Sequence, residues 1–122
     1  MSNMEPELQS LKVATGWTVD WHTFYDVEPS IENISYLSSD SLFLAKHGNA
    51  GYFVCLEWRP EEDINGEFSL VVMPYNKNKE DDDTDKYDWD TILFKANTRD
   101  KPLVVKMLNT LMVDGLNKLK TM

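Results

Sequence analysis

The stretch GYFVCLEWRPEEDINGEFSLVVM, residues 51–73, decides the fold. It contains two β-type apolar runs, Gly51 to Trp58 and Glu67 to Met73. Between them Pro60 ends strand pairing, and Asn65-Gly66 is a favoured turn dipeptide, so the stretch reads as a hairpin. A third run, Ser41 to Lys46, precedes it across His47-Gly48-Asn49-Ala50, where Gly and Asn are expected to supply the positive-φ positions of a second hairpin loop.

Working outward, Trp17, Val19 and Trp21 alternate with Thr18 and Asp20, the period-two pattern of a half-buried strand over Gly16 to Trp21. Residues 1–14 read as mobile, and Pro29 with the Ser38-Ser39-Asp40 cluster marks a long connection in which Ile31 to Leu37 is either loop or a short helical turn. Downstream, Pro74 closes the fourth strand, an acid-rich loop follows over 76–87, and Trp89 to Ala96 offers a fifth strand. The spacing then changes. Leu103, Val104, Met107, Leu108, Leu111, Met112, Leu116 and Leu119 recur at three and four, which predicts an amphipathic helix with Asp100 as N-cap and Pro102 in its first turn. Gly115 is expected to fray or bend its last turns. The expected fold is α+β in one domain: an antiparallel meander of about five strands with a C-terminal helix on one face.

The 122 residues are 42% apolar and 27% charged, as in ordinary globular domains. With 21 acids against 12 bases, the formal net charge of −9 argues against binding nucleic acid or an anionic membrane and favours a basic partner. The charge is polarised: residues 1–56 carry −5, residues 57–90 carry −8, and residues 91–122 carry +4. One cysteine, Cys55, allows no internal disulfide, and two histidines, His22 and His47, are too few for a zinc site. No apolar leader or membrane-length run is present, so a reducing, cytoplasmic setting is expected.

Catalytic chemistry has little to stand on here. No nucleophile-elbow or phosphate-cradling glycine pattern occurs, and both histidines read as surface or turn residues. Cys55 reads as a small core hydrophobe. Glu57 and Glu67, facing each other across the hairpin, would be the one carboxylate pair for glycosidase-type work, but opposed strand carboxylates are usually solvated. Asp81, Asp83 and Asp85 alternate like the start of a calcium loop, yet Lys86 stands where glycine is required and Ile92 where the bidentate glutamate belongs. No cofactor or metal is expected. The partner-binding candidates are instead the acids Glu61, Glu62, Asp63, Asp81, Asp82, Asp83 and Asp85, with Trp58 and Trp89, each flanked by charges, as aromatic anchors. Most of the four tryptophans are expected in the core.

The segments CLEWRPEEDINGEFSLVV (55–72), DWD (88–90) and TRD (98–100), with WTV (17–19) and FYDVEP (24–29), resemble small immunity proteins of bacterial polymorphic toxin systems such as contact-dependent growth inhibition. The resemblance spans about residues 17–113 and rests on structural signatures, with residues 76–87 as an acidic insertion. It implies a cytoplasmic protein that binds the toxic domain of a cognate effector and neutralises it by occlusion, without catalysis. A basic, nuclease-type toxin would suit the acidic charge. The alternative is a sheet-and-helix interaction module or homodimeric subunit.

Overall fold

A computed structural model describes residues 6–37 and 41–122. The Ser38-Ser39-Asp40 cluster and Met1 to Glu5 lie outside the described residues. Five strands, β1 (Trp17–His22), β2 (Phe43–His47), β3 (Tyr52–Arg59), β4 (Glu67–Pro74) and β5 (Phe94–Thr98), form one sheet in sequence order, and every neighbour is antiparallel. Two helices follow, α1 (Lys101–Asp114) and α2 (Leu116–Lys120). The α+β meander is therefore the fold, and the open Ile31–Leu37 question resolves as a 3-10 turn over Ile34–Leu37.

Alternation along β3 and β4 builds two different faces. Val54, Leu56 and Trp58 with Phe68, Leu70 and Val72 point to one side, where Val104, Leu108, Leu111 and Met112 of α1 complete a buried core. Each such aliphatic or aromatic side chain contributes about 1.5–3 kcal/mol on leaving water. The opposite face carries a smaller cluster of Phe53, Cys55, Met73 and Tyr75. Burial pushes the Cys55 thiol above its ordinary pKa, although a contact with Ser41 Oγ works against this.

The helix begins as its cap dictates. The Asp100 carboxylate accepts from the Leu103 amide at 3.3 Å, and proline sits in the first turn where no intrahelical acceptor is lost. Gly115, at φ 95°, divides α1 from α2, and α2 turns back so that Leu119 reaches the core. Leu8 bridges Tyr25, the Gln9 amide donates to Phe24 O at 2.7 Å, and the Lys12 amide donates to Asn109 Oδ1 at 2.8 Å, so this part of the expected mobile segment is tied to the body.

Several local expectations are corrected. The positive φ of the β2–β3 turn falls on Gly51 (81°), and that of the β3–β4 loop on Glu62 (54°), not on Gly48, Asn49, Asn65 or Gly66. A register shift between Val19 and Trp21 breaks the alternation of β1, so that Val19 pairs Ala45 while Trp21 pairs Leu44, on opposite faces. The fifth strand starts at Phe94, because Asp88 to Thr91 is a turn closed by the Asp88 carboxylate. Of the tryptophans only Trp58 is fully buried; Trp21 and Trp89 stand 49% and 56% exposed.

Candidate functional site

The two acidic loops, which a meander sends to opposite ends of its sheet unless bends bring them together, are separated by the sheet. In an antiparallel meander the β3–β4 loop leaves one end and the β4–β5 loop leaves the other, and β4 has eight residues, about 25 Å of strand. Glu61, Glu62 and Asp63 therefore sit at one end, and Asp81, Asp82, Asp83 and Asp85 at the other.

The first loop is organised inward. Trp58 is 0% exposed, packs edge-on against Phe68 with centroids 4.9 Å apart, and donates from Nε1 to Asp63 O at 2.9 Å. It is a core residue that shapes the loop; as a partner-facing anchor it is corrected, since none of its surface is available. Gly66 is there for space: a Cβ at this position would lie 2.7 Å from both Arg59 O and Trp58 Nε1. The acids are largely committed as well. Glu61 pairs with Arg59, and the Asp63 carboxylate accepts from the Asn65 amide at 2.9 Å. Neither Glu62 nor Asp63 makes an ion pair among the described residues.

The second loop is folded back on itself and onto the sheet. Tyr75 bridges Tyr87, the Asn76 amide donates to Lys86 O at 2.8 Å, and the Asp88 amide donates to Pro74 O at 3.1 Å, which closes the neck of the loop. Inside it, Lys86 Nζ donates to Asp81 Oδ1 at 2.7 Å and to Lys79 O at 3.1 Å, so a side-chain ammonium fills the centre of the acidic run. This hydrogen bond holds the Asp81 carboxyl below the usual aspartate range and raises the Lys86 ammonium pKa. Among the described residues no group of three or more His, Cys, Asp or Glu is placed to hold a metal. The Asp83 carboxylate accepts from the Asp85 amide at 2.8 Å. Glu80, Asp82 and Asp85 remain exposed and make no ion pair among the described residues.

Tyr87 and Trp89 carry this loop across the face away from the helix. Both rings meet Phe53 edge-on, with centroids at 5.0 and 4.8 Å. The Tyr87 hydroxyl accepts from Lys46 Nζ at 3.0 Å; that bond, with Asp20 at 3.3 Å from the same ammonium, raises the Lys46 pKa. Asp88 is held too: hydrogen bonds from Thr91 and from the Asp90 amide keep its carboxyl low. Trp89 thus stands on a fixed base between two carboxylates, with more than half its surface open.

The rest of this face is a shallow trough of about 250 Å³ lined by Glu57, Arg59, Glu67, Ser69, Lys95 and Asn97. Glu57 and Glu67 do not oppose each other: Glu57 stands opposite Ser69 and Glu67 opposite Arg59, and the Arg59 guanidinium binds Glu57 at 2.9 Å. His22 is edge-on against Phe43, and its ring nitrogens meet Gln9 O and the Phe24 amide, while His47 closes the β2–β3 turn through the Ala50 amide. Trp21, which sequence reading placed in the core, joins Trp89 as an exposed aromatic; the bulge in β1 was the feature that hid it.

No helix among the described residues is long and apolar enough to cross a membrane. No family model, curated protein or solved structure matches this chain.

Proposed function

We propose that this chain is a protein-binding immunity domain that acts in the cytoplasm and neutralises the basic toxic domain of a cognate effector by occluding it, without catalysis. The observation that carries this reading is Trp89: a rigidly seated, 56% exposed indole between Asp88 and Asp90, in the same β4–β5 connection as the exposed Glu80, Asp82 and Asp85, which make no ion pair among the described residues. An aromatic anchor within an acidic rim suits capture of a cationic surface, since the charges speed encounter and the indole supplies buried contact area. Within this reading the β4–β5 loop is the favoured contact, since Trp58 is internal, Glu61 pairs with Arg59 and the Asp63 carboxylate is held by the Asn65 amide. The sequence resemblance supports the toxin-neutralising part.

The test is affinity capture at low salt on the wild-type chain and on a Trp89→Ala, Asp82→Lys, Asp85→Lys variant. Support is a basic polypeptide that is released by salt, is lost by the variant, and arrests growth when expressed alone but not together with this chain. Equal capture by both proteins, or a captured polypeptide whose toxicity this chain does not relieve, overturns the reading.

A further inference from the structure

The face opposite the acidic loop carries a second, oppositely charged surface. β5 is an edge strand, paired on one side by β4 and with no strand along the other among the described residues. Beneath that edge lies a groove of about 410 Å³, floored by Phe94 and Ala96 of β5, Leu103 and Met107 of α1, and Leu119 of α2. Leu103 is 38% exposed although it belongs to the helical stripe that faces the sheet. The charged side chains of the lining are Lys106 and Lys120, both exposed, and neither makes an ion pair among the described residues.

We propose that the β5 edge and this groove receive an extended segment of a partner protein that carries large apolar side chains flanked by carboxylates. An incoming strand pairs its backbone with the open groups of β5, and its alternate side chains fall on the helix side. There the central ones enter the groove and the outer ones meet Lys106 and Lys120. A second copy of this chain is the poorer occupant. Two such edges brought together would face Lys106 and Lys120 with their own duplicates, and β5 offers Lys95 and no acid in exchange. The proposal does not depend on the β4–β5 loop reading, because it uses other residues and the opposite charge.

The probe is a fluorophore-labelled peptide, Asp-Thr-Leu-Thr-Phe-Thr-Asp, whose alternation puts Leu, Phe and both Asp side chains on one side. Anisotropy at low ionic strength with the full chain is expected to show saturable binding. The Lys106→Glu, Lys120→Glu variant is expected to weaken it about tenfold or more, and replacing both peptide aspartates by lysine is expected to abolish it. Bound peptide is expected to slow amide exchange within 94–98. Should the reversed variant fail to match the wild-type urea midpoint, the Lys106→Gln, Lys120→Gln pair makes the same comparison. Absence of saturation by about 1 mM, equal affinity for a folded charge variant, unchanged exchange in β5, or a solution dimer that already buries the groove each overturns the proposal.

Discussion

Lys101 Nζ lies 3.0 Å from Asp26 Oδ1 and also donates to Gln9 Oε1, so the first residue of α1 clasps two segments far from it in sequence. Only 5% of the lysine side chain is exposed, and its ammonium lies 5.4 Å from the centre of the Phe24 ring. A cation in the first turn works against the helix dipole, so its retention there rests on these partners. Lys101→Ala removes the tether and the packing of its methylenes, and is expected to cost about 1–3 kcal/mol. A fall in urea midpoint with unchanged slope, together with faster amide exchange at Gln9, checks this.

The closure of the acidic loop by Lys86 and Asp81 predicts a pH window. The lowered Asp81 pKa contributes closure above the aspartate pKa of the open loop, lost as pH falls through the folded value beneath it. The raised Lys86 pKa contributes closure below the ordinary lysine pKa, lost as pH rises through the folded value above it. The loop is therefore expected to stay closed through neutrality and to open at both extremes. Limited proteolysis between 76 and 87 across pH reads this directly. Lys86→Met is expected to make cleavage fast at every pH, with little change in the urea midpoint.

The strands, the helix and its cap were legible because each follows from local pattern: alternation in 51–73, three-and-four spacing after Asp100, a proline tolerated in the first turn. What the residues touch across the sheet was not. Trp58 and Trp89 look alike in sequence, each set among charges, yet Trp58 faces the helix by strand parity while Trp89 lies on a turn that lands on Phe53. That the two acidic loops stand at opposite ends of the sheet follows from meander order, and the length of β4 sets their separation. Trp21 was misplaced because a one-residue bulge reverses parity without any sequence mark.

Gly66 joins the two levels, since Asn65-Gly66 was read as a turn for its dihedral freedom and the glycine serves close approach instead. Its missing Cβ would stand 2.7 Å from Arg59 O, a backbone atom that cannot move aside cheaply. The Arg99 guanidinium, 5.5 Å from the Trp58 ring centre, also donates to Gly66 O. Gly66→Ala is expected to cost about 1–3 kcal/mol by overpacking. Chemical denaturation gives the magnitude, and unchanged stability would mean that the loop has room that its contacts deny.

The two charge-flanked tryptophans make a direct contrast. Trp58→Ala empties a fully buried site and leaves Asp63 O without its indole donor, so about 3–5 kcal/mol is expected to go, a large part of the roughly 5–15 kcal/mol that holds a domain together. Trp89→Ala removes one edge-on ring contact with Phe53, and the expected cost to folding is about 0.5–1.5 kcal/mol. Its effect on binding is expected to run the other way in size. As the anchor of the proposed interface its loss should weaken a captured basic partner by about 2 kcal/mol or more, roughly thirtyfold, mostly through faster dissociation. Asp82→Lys with Asp85→Lys should instead slow association at low salt and converge on wild type as salt screens the loop. Surface-binding kinetics at two ionic strengths separate these effects, and a Trp89→Ala protein that keeps both its stability and its partner would remove the indole from the interface.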